Sequence, residues 1–412
     1  MKLLENLKIL DFTTLLPGPY ATWMLAEMGA DVLKISAPDR TDLVLESSPK
    51  TEKGLSANRA WLNNRKKEIF LNLKEESGKK EIVRLIKEEG YNCIIEQFRP
   101  GVMAKFGLSY EDIKSIKNDI IYLSLTGYGQ DGPYKDKAGH DINYLALSGL
   151  MSYSGRKSTG PVLYGMQIAD IASAQNSVIG ILAAQNKRNA TGEGTYVDVS
   201  ILDSVILFNA MAGAGAMMNG INPEREEDYL NGGSLYDFYE TKDNKYLSLG
   251  ALEPKFFERF CKIIGKEEWI EEGCACQDFL GKKAILREIF REKTRDEWME
   301  IFKDTDCCIE PVLNLKEALV DNENTKIRKT IKTVNINGEE INVYSKYSYE
   351  IFLLHHVLIT VSLSPYEQNT YYSVGQYLLW ALRALAVIGI ASWMIYPRWK
   401  PKTTKAQATK TQ

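Results

Sequence analysis

Histidine is almost missing from this chain. Its 412 residues contain three, and His140 is the only one before His355. Side chains that take and return a proton near neutral pH are therefore scarce, and a lone histidine between Gly139 and Asp141 is a candidate for that work. The alternative is a hydrogen-bonded structural histidine. Charge imbalance is missing as well: the net charge is −3, and lysine and arginine alternate with aspartate and glutamate over most of the length. This excludes a basic stripe, and no nucleic-acid partner is expected. The first residues, MKLLENLKILDF, carry neither a long apolar stretch nor a small-residue cleavage site. No secretory signal is read there, and the main body is expected in the cytoplasm. The six cysteines, Cys93, Cys261, Cys274, Cys276, Cys307 and Cys308, give no disulfide framework of the small secreted type. Cys274-Ala-Cys276 and the Cys307-Cys308 pair lack zinc-knuckle spacing and a nearby histidine, so reduced thiols are expected and no metal site.

What is present is alternation of strand and helix patterns through residue 130. Apolar runs at 7–12, 31–35, 69–73, 92–96 and 120–125 alternate with helical patterns at 19–29 and 76–89. That order predicts an α/β fold with a mostly parallel, doubly wound Rossmann-like sheet. No G-x-G-x-x-G follows the first strand; Leu16-Pro-Gly-Pro-Tyr20 stands there, so a dinucleotide is not implied. A long apolar helix is expected over 168–187 and a strand over 195–199. The Ala, Met and Gly of 201–220 suggest close helix packing. The expected division is a large α/β domain at 1–200, a linker helix and loop at 201–230, a smaller α+β domain at 231–325, a connection at 326–347 and an apolar helical tail at 348–412. Within that tail, residues 377–396 have membrane-spanning length, interrupted by Arg383 and followed by basic residues, so membrane association through 348–396 is expected. Two buried core helices are the alternative.

Three acid–base candidates sit in glycine-rich or apolar surroundings: His140 in KAGHDINYLALSG, Asp170 in YGMQIADIASAQ and Glu253 in LSLGALEPKFF. A desolvated Asp170 would have a raised pKa and be a stronger base; a helix cap is the alternative reading. Glu253, just before Pro254, suits a first helical turn. Basic and amide-bearing residues cluster after the strands: Asn64-Arg65-Lys66-Lys67, Asn72-Leu73-Lys74, and Gln97-Phe98-Arg99 with Lys105 one turn on. Such groups at the ends of parallel strands suit an anionic, nucleotide-like ligand, although solvated loop residues look the same in sequence.

Ordered stretches over residues 5–335 resemble the type III CoA-transferase and α-methylacyl-CoA racemase family. They are LPGPYATWMLAEMGADVLKI, EIFLNLK, EQFRPGVMAKFGLSYEDI, TGYGQDGP, AGHDINYLALSG, GILAAQNKRNATGEGTYVDVSILD and GALEPKF. The resemblance implies a CoA-thioester enzyme, with the racemase branch the nearer match. It implies that His140 and Asp170 are bases on opposite faces of the substrate α-carbon, and that Glu253 supports the histidine. Removing a proton from one face and returning it on the other passes through an enolate whose oxygen needs donors. Backbone amides at the start of the Asp170 helix are offered for that role. The alternative is CoA transfer between carboxylic acids, with Asp170 as nucleophile passing through an anhydride and an aspartyl-CoA thioester. A catalytically inactive membrane-anchored fusion is a third reading. The resemblance further implies CoA contacts at Asn72, Leu73 and Lys74, at Gln97, Phe98, Arg99 and Lys105, and at Gly139, Asp141, Ile142, Asn143 and Tyr144. Where racemases have an arginine after the second strand this chain has Ala37, and Arg40 is taken in its place. No prosthetic group is implied; coenzyme A enters as part of the substrate, and the implied partner is a second copy in an interlocked homodimer. The stretch SKYSYEIFLLHHVLITVSLSP at 345–365 resembles instead the end of an integral-membrane O-acyltransferase.

Overall fold

Six parallel strands form the frame, because apolar runs buried on both faces need helices above and below them. The computed structural model describes residues 3–344, which fall in one compact unit, Met1–Lys346. The strands are β1 (Lys8–Phe12), β2 (Asp31–Ser36), β3 (Lys67–Phe70), β4 (Cys93–Glu96), β5 (Ile121–Thr126) and β6 (Thr195–Ser200), in the order β3-β2-β1-β4-β5-β6. The central strands β4 and β5 are buried throughout, whereas the edge strand β3 is exposed at both ends and only partly buried at Glu68 and Ile69. The doubly wound sheet read from the sequence is thus present. Its third strand is shorter than expected: pairing with β2 ends at Ser36 and Phe70, and Asn72 turns the chain by accepting the N–H of Lys74.

One face is covered by the amphipathic helix Glu76–Lys87, whose Ile82, Leu85 and Ile86 join Leu10, Leu33, Ile94 and Tyr122 in a core. The other is covered by Pro17–Glu27 and the long helix Ile168–Thr191, which pack on one another. The shorter helix lies buried nearly all round. Gly180 lets the longer one approach β6, since a Cβ there would stand 2.8 Å from Val197 Cγ1.

A second, antiparallel sheet follows: β7 (Asp237–Glu240), β8 (Tyr246–Leu249) and β9 (Ile309–Pro311). Tyr239, Phe257, Phe260, Phe290, Trp298 and Phe302 form its core with helices Pro254–Ile264, Phe279–Arg291 and Arg295–Phe302. Between the sheets the 201–220 segment is not one closely packed helix. It breaks into Ile201–Ile206 and Ala212–Asn219, and Leu207, Met211, Met217 and Met218 are each more than two-thirds exposed. Among the described residues no single helix is long and apolar enough to cross a membrane.

The stretch expected as a connection carries a hairpin, β10 (Ile331–Ile336) and β11 (Glu339–Tyr344), that returns to the parallel-sheet region. Lys332 reaches Glu27 at 3.2 Å, Thr51 donates to Glu339 at 2.8 Å, and the Tyr344 ring lies 4.9 Å from Trp61. The apolar tail, 348–412, lies outside the described residues, and with it the expected membrane segment and its resemblance.

Candidate active site

Doubly wound sheets bind ligands in the crevice where strand order reverses, here between β1 and β4. The loops leaving those two strands are tied together: the N–H of Gly18 donates to Gln97 Oε1 at 3.2 Å. Gly18 is required by this closeness, because a Cβ would stand 2.2 Å from Thr13 Cβ and 2.6 Å from Gln97 Oε1. Beside Gln97, the ring of Phe98 meets Phe106 edge-on at 6.1 Å, and the Phe98 N–H donates to Glu96 Oε2 at 2.8 Å. Arg99, Lys105 and Arg40 are exposed and so free to meet an anion. Lys74 is exposed too, 3.7 Å from Asp39. Asn72 holds the turn into the next helix, and Leu73 packs partly into the core. The basic run at 64–67 is not a free anion site: Lys66 is buried against Asp11, and Arg65 pairs with the buried Glu27 at 2.9 Å.

The loop leaving β5 carries His140, the residue before helix Asp141–Leu147. Its backbone is fixed at both ends: the His140 N–H donates to Asn143 Oδ1 at 3.0 Å, and its carbonyl accepts from the Asn143 N–H at 2.8 Å. The imidazole is left exposed. Tyr144 supports the turn from beneath, buried and donating its hydroxyl to the Gly139 carbonyl at 3.0 Å. Ile142 is exposed on the outer side.

Asp170 lies in the first turn of the long helix, and Asp141 joins it to the His140 turn. Asp141 Oδ1 accepts from the N–H groups of Ala169 at 2.6 Å and Asp170 at 3.2 Å. The amides that the sequence offers as enolate donors are therefore already occupied. Burial, and then the Asp141 charge, push the Asp170 carboxyl up to about 7. That is far above the carboxylate range and close to where a proton-transfer group works well. Glu96, which sequence reasoning passed over, is also pushed up to about 7, by burial foremost. Only its place at the end of a fully apolar strand hinted at this.

The turn that carries His140 is thus tied through Asp141 to the first turn of the Asp170 helix, and Glu253 is not joined to either. It precedes helix Pro254–Ile264 beside the smaller sheet, exposed, and among the described residues no hydrogen bond or ion pair joins it to either. Among the described residues no group of three or more histidine, cysteine, aspartate or glutamate side chains is arranged to hold a metal ion.

The comparison with known proteins decides the family. CoA-transferase family III matches residues 4–348. The chain belongs to CoA-transferase family III. It is similar to the human alpha-methylacyl-CoA racemase, 31% identical over 78% of this chain and 80% of that protein. It is equally similar to the human succinyl-CoA:glutarate CoA-transferase, 32% identical over 78% of this chain and 74% of that protein. A CaiB/BaiF family protein from Brucella suis shares the fold, with a TM-score of 0.72, 24% identity, and coverage of 82% of this chain and 90% of that one. A family III member is a CoA-thioester enzyme, and both branches of the family are represented among these relatives.

Proposed function

We propose that this family III enzyme epimerises 2-methylacyl-CoA, with His140 and Asp170 as the two acid–base groups of a 1,1-proton transfer through an enolate. The Asp170 carboxyl is the observation that carries this reading. A carboxyl near 7, tied through Asp141 to the turn that carries a histidine, can both accept and return a proton at neutral pH. One base takes the α-proton, the electron pair moves onto the thioester oxygen, and the conjugate acid of the other group reprotonates the opposite face. With the Ala169 and Asp170 amides occupied, the N–H groups of Asp141 and Ile142 remain for the enolate oxygen; neither has a hydrogen-bond partner among the described residues.

Coenzyme A is assigned to the crevice between β1 and β4, as part of the substrate and with no prosthetic group. Asn72, Leu73 and Lys74 are assigned to its adenine, Gln97, Phe98, Arg99 and Lys105 to its phosphates, with Arg40 as a further cation, and Gly139–Tyr144 to the thioester. Glu253 is assigned to His140 of a second copy. The exposed Leu207, Met211, Met217 and Met218 are apolar surface of the kind that a homodimer covers.

The near-equal identity to a CoA-transferase supports a second reading, in which Asp170 attacks the thioester carbonyl and expels the CoA thiolate. The thiolate then attacks the resulting anhydride at the aspartyl carbonyl, releasing the donor acid and leaving an aspartyl-CoA thioester. Incubation with 2-methylacyl-CoA in heavy water tests the first reading: α-deuteration lost in both His140→Ala and Asp170→Ala is expected, and its absence from the unaltered protein overturns it. CoA transfer to an added carboxylic acid that survives His140→Ala but not Asp170→Ala would put the second reading in its place.

A further inference from the structure

We propose that Asp141 is a positioning residue for Asp170, clamping the first turn of the Asp170 helix and holding a second carboxylate against it. The inference rests on the proposed proton-transfer role of Asp170. The first N–H groups of any helix lack intrahelical partners, and a side chain just ahead of the helix usually takes them. Helix Ile168–Thr191 has Gln167 in that place, and Gln167 makes no capping bond. A carboxylate from another helix does the capping instead, reaching two consecutive amides across a separation of 28 and 29 residues.

This arrangement has two separable consequences. Geometrically, it fixes the Asp170 backbone relative to the turn that carries His140. Electrostatically, it sets a like charge beside Asp170; burial raises the Asp141 carboxyl above its ordinary range, and the Asp170 and Ala169 amides pull it part of the way back. The other titratable groups here are Tyr144, Tyr128 and His140. Burial pushes Tyr144 up to about 12, so it is a neutral phenol at working pH, and its ring meets that of Tyr128 at 5.2 Å. Asp141 is the neighbour whose negative charge raises Asp170, after burial.

Asp141→Asn separates the two effects, because the amide oxygen still accepts from both N–H groups while the charge is gone. The full-length protein, with 13C-carboxyl-labelled aspartate and the Asp170 signal assigned by its loss in Asp170→Asn, is titrated by NMR. The Asp170 midpoint is expected to fall by about one pH unit in Asp141→Asn. The ascending limb of the pH profile for α-deuteration is expected to move with it, with KM changed less than kcat. Asp141→Ala, which removes the acceptor too, should lower kcat and the thermal midpoint together. An Asp170 midpoint that stays in place in Asp141→Asn overturns the proposal, even where Asp141→Ala is damaged. A midpoint that moves in a protein showing no α-deuteration upholds the proposal and overturns the racemase reading alone.

Discussion

Lys66 and Asp11 are ion-paired at 3.3 Å with neither side chain reaching solvent. Lys66 also donates to the Pro19 carbonyl at 2.9 Å and to Thr22 Oγ1 at 2.7 Å, while Asp11 accepts from Thr13 and Thr22. The pair pins the end of β1 to the helix that follows and to the entry of β3, which shapes the crevice. Burial pushes Asp11 up, but Lys34, Lys66 and the threonine hydroxyls hold it below the ordinary carboxylate range. Burial lowers Lys66 to about 8 against the pull of Asp11. Asp11→Ala strands two buried lysines and should cost about 3–5 kcal/mol in urea unfolding. Lys66→Met should cost less, because Lys34 and the threonines remain around Asp11. Equal losses would show that the pair is not the anchor.

Gly139 is held to glycine by two rings. A Cβ there would stand 2.8 Å from Tyr128 Oη and 2.9 Å from Tyr144 Cε1, and both rings lie under the His140 turn. Gly139→Ala is expected to lose about 1–3 kcal/mol as the rings are displaced, and to lower the rate of α-deuteration by at least tenfold, since misplacement of a reacting group is costly. Gly165→Ala is the control: nothing lies within 4 Å of its added Cβ, and its stability should match the parent. Circular dichroism melts of the two variants decide the point.

Much of this was legible in the sequence, and what was not has a common cause. Strand-length apolar runs such as 92–96 and 120–125 give the parallel sheet because period and burial are local properties. The rarity of histidine, with the ordered family stretches, drew attention to His140 and Asp170. The Asp141 clamp spans 28 residues and the Asp11–Lys66 pair 55, and neither separation leaves a local pattern. Lys66 looked like a phosphate ligand because a basic run reads alike whether solvated or buried. The exposure of 201–220 is not legible for a related reason: small and apolar residues fit a packed helix and an uncovered surface equally well. Glu253 is legible as the residue before a helix, because Pro254 is a local signal, whereas its side-chain contacts are not a local property.

Asp170 links the site to stability. An unfolded aspartate loses its proton near 3.8, whereas burial and Asp141 keep the folded one protonated until about 7. Between those values the native state binds more protons, so stability falls as pH rises through the window and stays lower above it. Asp170→Asn removes this dependence. Its gain over the parent should be small at pH 4 and about 2 kcal/mol at pH 8, a figure reduced for the partial exposure of the group. The same variant should lose about 10²–10⁴-fold in α-deuteration. A stability gap independent of pH would mean that Asp170 ionises normally.

Asp237 joins three parts of the chain. It accepts from Arg156, in the loop that leads to the Asp170 helix, through both guanidinium nitrogens, and from the buried Lys283 at 2.7 Å. Lys283 also donates to the Gly232 carbonyl at 2.6 Å, and Arg156 reaches Glu226 at 3.2 Å, so the 221–233 segment is held from both sides. The two cations pull Asp237 below the ordinary carboxylate range against the effect of burial. Asp237→Ala leaves Lys283 buried and unpaired and should cost about 3–5 kcal/mol. Lys283→Met removes the cation that needs compensation, so the double variant should be more stable than the sum of the two single losses predicts, by about 1–3 kcal/mol. Limited proteolysis supplies the local readout: cleavage within 221–233 should quicken in Asp237→Ala and slow again in the double variant. Strict additivity in the cycle, with unchanged cleavage there, would show that Asp237 does not tie these segments together.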